Sequence, residues 1–92
     1  MIRSFRHKGL EAFFLRGTRA GIQPRHADRL RLILTALDGA RRPMDLNAPG
    51  WRLHALQGRL QGYYSVTINA NWRVIFRFAV GNAQDVDYLD YH

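Results

Sequence analysis

The sequence predicts one α+β domain, ordered β-α-α-β-β-β, in which two helices pack on one face of a small antiparallel sheet. Three observations predict this fold: apolar residues recur at helical spacing in the first 40 residues, aromatic and β-branched segments follow from residue 51, and short turns separate these segments. A chain of 92 residues has room for one hydrophobic core, so the predicted domain spans residues 1–92.

Two helices are predicted after a short first strand at Met1–Phe5. The first helix begins at Lys8 and ends at Gly17, because glycine readily adopts the left-handed conformation that closes a helix. The second begins near Pro24 and ends near Gly39, where another left-handed cap is expected. The apolar face of the second helix consists of Ala27, Leu30, Ile33, Leu34 and Leu37.

A meander of strands is predicted after the proline-containing loop Ala40–Gly50. The segments are rich in β-branched and aromatic residues, and the short turns between them favour antiparallel pairing. The predicted strands are Trp51–Leu56, Tyr63–Ile68, Trp72–Phe78 and Ala83–Leu89. Alternation within the third of these places Val74 and Phe76 on the face that packs on the helices, with Arg73 and Arg77 on the other.

The charge balance favours a polyanionic partner. Fourteen Lys and Arg residues against seven Asp and Glu give a net charge of +7, and residues 1–60 hold twelve of these bases but only four acids. Counterion release drives the association of cationic surfaces with nucleic acid, and the guanidinium fork matches phosphate. A basic protein without such a partner is the alternative interpretation.

Several classes of protein are disfavoured by what the sequence lacks. There is no cysteine for a disulfide framework or a thiol nucleophile, and the four histidines have no metal-ligand spacing, so neither a metal nor a cofactor is expected. Ser4 and Ser65 do not lie in a nucleophile elbow. No apolar run approaches the roughly 20 residues that span a bilayer, and no signal peptide is evident, so a cytoplasmic protein is expected.

A group of residues could handle phosphate chemistry without a metal. Cleavage of RNA through its 2′-hydroxyl needs a base, an acid and fixed positive charge. The candidates are His54, Arg73, Asp90, Tyr91 and His92, which antiparallel pairing can bring together. Each has a structural alternative: a half-buried strand histidine, a solvated arginine and a frayed chain end. His7 and His26 are expected on the surface near helix starts, and Tyr63, Tyr64 and Trp72 are expected to pack rather than to stack on bases.

Five segments of the chain carry a resemblance to a known family. They are Met1–Phe5 followed by His7-Lys8-Gly9, Arg52-Leu53-His54 followed by Leu56, Gly58 and Gly62, Ser65-Val66-Thr67-Ile68, Asn71-Trp72-Arg73-Val74 with Phe76, and the terminal Asp90-Tyr91-His92. With these segments the chain resembles the HigB-type (host inhibition of growth) toxins, also called plasmid maintenance system killer proteins. This family belongs to the RelE/ParE superfamily of type II toxin–antitoxin systems, and the resemblance extends over residues 1–92.

The resemblance implies a RelE-like fold and a ribosome-dependent endoribonuclease that cuts mRNA in the ribosomal A site without a metal. It implies that His54 takes part in proton transfer or positions the scissile phosphate, and that Arg73 stabilises the transition state. Asp90 and His92 match the acidic and histidine members of the active site, and Tyr91 matches a tyrosine that orients the RNA. Which group is the base and which the acid is left open.

The family also implies partners. These are the ribosome with its RNA, the mRNA, and an antitoxin with a helix-turn-helix domain; the toxin itself is expected to be monomeric. Candidate RNA contacts are Lys8, Arg16, Arg19, Arg25, Arg29 and Arg59. Gln57 departs from the lysine of some members, and Arg59 is the candidate replacement. Two alternatives remain at this point: a non-enzymatic DNA gyrase inhibitor, as in the ParE branch, and an RNA-binding module without catalysis.

Overall fold

The computed structural model describes residues 1–91 and has two α-helices followed by a four-stranded antiparallel sheet. The helices are α1 (Lys8–Arg16) and α2 (Ala27–Gly39), and the strands are β1 (His54–Ala55), β2 (Tyr64–Asn69), β3 (Trp72–Ala79) and β4 (Asn82–Asp90). The strands lie side by side in chain order, joined as a meander. This confirms the predicted α+β class and is consistent with a RelE-like arrangement.

Helix α1 is capped at both ends, whereas α2 ends without the cap that the sequence predicts. At the start of α1, the Nδ1 atom of His7 accepts the backbone N–H of Leu10 at 2.9 Å. At its end, Gly17 has φ of 74° and donates its N–H to Phe13, as predicted. The predicted left-handed cap at Gly39 is wrong: Gly39 is the last residue of α2, and Ala40 leaves the helix with φ of −79° and ψ of 149°. Any residue adopts that extended conformation, so no glycine cap is needed.

The predicted first strand at Met1–Phe5 is reduced to two isolated parallel bridges with β4, which join Ile2 to Ala83 and Phe5 to Val86. Between them the backbone of β4 is distorted, because Asp85 has φ of 54° and the register with β3 shifts there. Ser4 bonds at this bulge, where its hydroxyl accepts the N–H of Asp85 at 2.9 Å. The bulge interrupts the ladder, so no continuous strand forms.

The predicted strand Trp51–Leu56 is also shorter in the structure, where β1 comprises only His54–Ala55. The reason is local, since Arg52 has φ of 52°, a left-handed conformation that breaks the extended run. Trp51 remains attached to the sheet, because its carbonyl accepts the N–H of Thr67 at 2.8 Å. The other predicted strands begin and end within one residue of the observed ones.

The sheet has one face under the helices and a second face with a smaller cluster. On the helix face, Val74 and Phe76 are fully buried against the apolar sides of α1 and α2. On the opposite face, Leu56, Tyr63 and Ile75 form the smaller cluster. The alternation predicted for β3 is therefore confirmed. Among the described residues, neither helix combines the length and hydropathy that a bilayer crossing needs.

The first turn of α1 lies directly against the loop that precedes α2. A Cβ atom placed on Gly9 would lie 2.7 Å from the Cα of Gly21, and one placed on Gly21 would lie 2.5 Å from the Cα of Gly9. Real Cβ atoms do not approach backbone so closely, so glycine is required on both sides of this contact. The contact holds the loop 17–23 beside His7, and together they line a cavity with Trp72, Tyr88 and Asp90.

Candidate active site

His54 is exposed on the edge strand β1, and a hydrogen bond to the backbone fixes the orientation of its ring. Its Nδ1 atom lies 2.9 Å from the carbonyl oxygen of Arg52. A carbonyl oxygen only accepts, so Nδ1 carries the hydrogen, and the neutral ring then has an unprotonated Nε2. The left-handed backbone of Arg52 directs that carbonyl toward the imidazole. His54 is therefore arranged to accept a proton at Nε2.

Arg73 lies on the same face of the sheet as His54, with β2 between them. His54 pairs with Ser65 and Arg73 pairs with Thr67, and residues 65 and 67 point to one side of β2. Two strand spacings and a two-residue offset put the Cα atoms of His54 and Arg73 about 12 Å apart. The Nη1 atom of Arg73 donates to the carbonyls of Ala70 at 2.7 Å and Trp72 at 3.2 Å, which anchors the guanidinium at the β2–β3 turn.

The C-terminal candidates lie next to that turn. Asp90 pairs with Trp72, one position along β3 from Arg73, and lines a cavity on the helix side of the sheet. The backbone N–H of Tyr91 donates to the carbonyl of Asn71 at 2.8 Å, so the chain is held to the turn through residue 91. Arg73 and Asp90 are therefore neighbours along the strands at this turn but lie on opposite faces of the sheet, because Asp90 shares the helix face with Trp72, whereas Arg73 shares the other face with His54, two strands away. His92 lies outside the described residues.

Two buried hydroxyls lie on the strand between His54 and Arg73, and sequence reasoning missed both. The side-chain oxygens of Ser65 and Thr67 are inaccessible to solvent and have no hydrogen-bond partner among the described residues. Ser65 is directly opposite His54, and Thr67 is directly opposite Arg73. Only the pairing register reveals this placement. Within residues 1–91, no three His, Asp or Glu side chains converge closely enough to share a metal ion.

His26 is buried with 1% of its surface exposed, so its predicted surface position is wrong. The reason is that the 3₁₀ turn Pro24–His26 packs on the helix face of the sheet, where a polar partner is available. The Nδ1 atom of His26 lies 2.7 Å from the hydroxyl of Tyr88, and its ring meets Trp72 edge-on at 5.3 Å. Burial lowers the pKa of His26, as does the charge of Arg25, whereas burial raises the pKa of Tyr88.

The lowered pKa of His26 predicts that acid destabilises the fold. At a pH well above 6.5, the ordinary pKa of histidine, His26 is neutral in both the folded and the unfolded chain. As the pH falls below 6.5, His26 binds a proton more readily in the unfolded chain than in the folded one. The free energy of unfolding should therefore decrease below about pH 6.5 more steeply in the wild type than in His26→Gln. Urea unfolding of both proteins from pH 7.5 downward measures this, and parallel curves would contradict it.

Tyr63, Tyr64 and Trp72 each pack against other apolar or aromatic side chains, as predicted. Tyr63 is 8% exposed in the smaller cluster. The ring of Tyr64 stacks on Phe76 with centroids 6.3 Å apart. The indole of Trp72 lies 4.8 Å from the ring of Tyr88, although it also lines the cavity beside Asp90.

The predicted RNA-binding residues fall into two groups. Five are exposed: Lys8, Arg16, Arg19, Arg25 and Arg59. Arg29 is half-buried, and its Nη2 atom donates to the carbonyls of Gly50 at 3.3 Å and Thr67 at 3.5 Å. Arg29 therefore ties α2 to the loop and to β2. Arg59 lies in the 3₁₀ turn Gly58–Leu60, which begins three residues after the last residue of β1.

A meander sheet covered on one face by two helices is an α+β fold consistent with the RelE-like toxins of type II toxin–antitoxin systems. The chain belongs to the HigB-like family of these toxins, because the family model described as "RelE-like toxin of type II toxin-antitoxin system HigB" matches residues 3–92.

Two curated relatives are similar along the whole chain. It is 42% identical over 92 residues to Endoribonuclease HigB of Proteus vulgaris, with both chains fully covered. It is 35% identical over 94 residues to Toxin HigB-1 of Vibrio cholerae, covering all of this chain and 98% of that one. Neither name supports the gyrase-inhibitor alternative.

Proposed function

We propose that this chain is the toxin of a type II toxin–antitoxin system and acts as an endoribonuclease that cuts mRNA in the ribosomal A site without a metal. The observation that carries the proposal is the placement of His54 and Arg73 on one face of the sheet, with Nε2 of His54 poised to accept a proton. The full-length similarity to a protein named an endoribonuclease supports it.

In the proposed reaction, Nε2 of His54 takes the proton of a 2′-hydroxyl. The 2′-oxygen then attacks the adjacent phosphorus, and the bond from phosphorus to the 5′-oxygen breaks. Arg73 stabilises the charge that develops on the phosphoryl oxygens. The leaving 5′-oxygen receives its proton from the terminal Asp90-Tyr91-His92, in which Tyr91 orients the RNA.

The partners in this proposal are those that the family implies, and the charge of the chain supports the nucleic acids among them. The net charge of +7 is suited to ribosomal RNA and mRNA, with the exposed Lys8, Arg16, Arg19, Arg25 and Arg59 as phosphate contacts. Arg59 in particular stands in for the lysine that Gln57 replaces. A helix-turn-helix antitoxin neutralises the toxin, and the site of action is the cytoplasm, where ribosomes translate.

The proposal predicts where RNA is cut. The purified chain is incubated with one mRNA, either free or on ribosomes with an empty A site, and the new RNA ends are mapped. Cuts are expected only on ribosomes and only in the A-site codon. His54→Ala should reduce their rate about 100- to 10,000-fold, the usual contribution of a general base.

Each other outcome contradicts part of the proposal. Equal cutting of free mRNA would refute dependence on the ribosome. Intact mRNA together with cleaved DNA–gyrase complexes would establish the gyrase alternative. RNA binding that collapses with salt and yields no new ends would establish a binding module without catalysis.

A further inference from the structure

We infer that the cavity on the helix side of Asp90 binds a nucleobase of the RNA that the proposed site cuts. This inference rests on the proposed function and assigns it a specificity site. The cavity, here called the Trp72 cavity, has a volume of about 370 Å³. Its lining consists of His7, Ala20, Gly21, Ile22, Gln23, Trp72, Tyr88, Leu89 and Asp90.

Three aromatic rings give the Trp72 cavity a surface suited to a flat base. The rings of Trp72 and Tyr88 lie 4.8 Å apart and are tilted by 31°, and the ring of His7 meets Tyr88 edge-on at 5.2 Å. Trp72 is half-buried, so part of its indole remains open to the cavity. Aromatic side chains of this kind are the usual partners of unstacked RNA bases.

The hydrogen bonds around Tyr88 leave one donor for a ligand. The hydroxyl oxygen of Tyr88 accepts the backbone N–H of Gln23 at 3.2 Å. Nε2 of His26 accepts from Arg25 at 3.4 Å, so its Nδ1 carries the hydrogen and donates to Tyr88 at 2.7 Å. With both donors directed at its oxygen, Tyr88 keeps its own hydrogen for a group in the cavity.

Two more polar residues line the same cavity. Nδ1 of His7 accepts the N–H of Leu10, so a neutral His7 ring carries its hydrogen at Nε2. The side chain of Gln23 supplies an amide, which pairs donor and acceptor with the edge of a base. The Trp72 cavity therefore combines an aromatic wall with several hydrogen-bonding groups, as a base-reading site requires.

Charge and position connect the Trp72 cavity to the cleavage site. The exposed Lys8 and Arg19 directly adjoin the lining residues His7 and Ala20 in the chain, and the exposed Arg25 lies two residues beyond Gln23. These cations suit the phosphates on either side of a bound base. Asp90 belongs both to this lining and to the proposed catalytic group, and Arg73 directly follows the lining residue Trp72 on the other face of the sheet, so the RNA would pass the end of β3 between the bound base and Arg73.

The two tryptophans of the chain allow binding to be tested without ribosomes. Trp51 does not line the Trp72 cavity, so Trp51→Phe leaves a reporter inside it and Trp72→Phe leaves one outside. Fluorescence is titrated with each nucleoside 5′-monophosphate and with ribose 5-phosphate. Saturable quenching is expected only in Trp51→Phe and only with a base present. Equal quenching of both variants, or equal quenching by ribose 5-phosphate, would overturn the inference.

Codon choice tests whether the Trp72 cavity receives the RNA substrate. Gln23→Ala should change the relative cutting of different A-site codons at least threefold while some codons are still cut. The matched control is Gln84→Ala on β4, outside the cavity, which should leave the codon preference unchanged. An unchanged preference in Gln23→Ala would overturn the inference, even if nucleotides quench Trp72. Absence of cutting by the wild type would instead refute the proposed function, and the fluorescence titration would still decide base binding.

Discussion

Replacing Arg73 with alanine is expected to lower ribosome-dependent cleavage of mRNA about 100- to 1,000-fold, the usual loss when one donor to a developing oxyanion is removed. The effect should be this large because the guanidinium of Arg73 is held by the carbonyls of Ala70 and Trp72 before the RNA arrives. A charge fixed in advance needs no reorganisation in the transition state. The measurement is the single-turnover rate of cutting on programmed ribosomes.

Arg77 provides the matched control for Arg73. It lies on the same strand and the same face, is exposed, and forms an ion pair with Asp85 at 3.5 Å. Arg77→Ala should leave the cleavage rate within about twofold, since exposed ion pairs contribute little. If both substitutions slow cleavage alike, the effect is one of net charge, and Arg73 has no special role. Arg73→Lys should restore only part of the rate, because lysine lacks the planar fork.

The largest loss of stability is expected from Gly9→Ala. Its Cβ would lie 2.7 Å from the Cα of Gly21, a backbone atom that cannot rotate away as a side chain would. Overpacking of this kind costs about 1–3 kcal/mol of unfolding free energy, although alanine has the higher helix propensity by about 1 kcal/mol. For a domain of this size, each kcal/mol lowers Tm by roughly 4–8 °C.

Gly39→Ala separates the steric effect from the loss of a glycine. Gly39 is also helical, but a Cβ there would meet nothing within 4 Å. This variant should be neutral or more stable by up to about 1 kcal/mol. Thermal unfolding followed by circular dichroism compares the two variants with the wild type. A Gly9→Ala protein as stable as the Gly39→Ala protein would show that α1 and the loop do not pack as described.

Much of the fold is predictable because its signals are local. The apolar stripe of α2, the cap at Gly17 and the alternation along β3 each depend on residues close together in the chain. The predictions that are wrong concern backbone conformations that the sequence does not specify. A left-handed backbone is unusual for arginine, so nothing in the sequence reveals that Arg52 delays the start of β1 to His54. The bulge at Asp85 is of the same kind.

The candidate site also has features that the sequence predicts and features that it does not. Residue types and the family resemblance identify His54 and Arg73, but only the strand register puts them on one face. The burial of His26 depends on Tyr88, which lies 62 positions away in the chain. The unpartnered hydroxyls of Ser65 and Thr67 are visible only once that register is known. Long-range pairing is therefore what the sequence alone leaves undetermined.

The bond between Ser4 and the bulge at Asp85 has a consequence for how the protein is made. These two residues are separated by 81 positions, and the segment 1–5 has its backbone partners in β4. A ribosome synthesises residues 1–5 about 80 residues before their partners, which emerge only when translation has passed Val86. Helices with local contacts form early, whereas contacts between distant segments form slowly. Residues 1–5 are thus made before α1 and α2 but are among the last to reach their native positions.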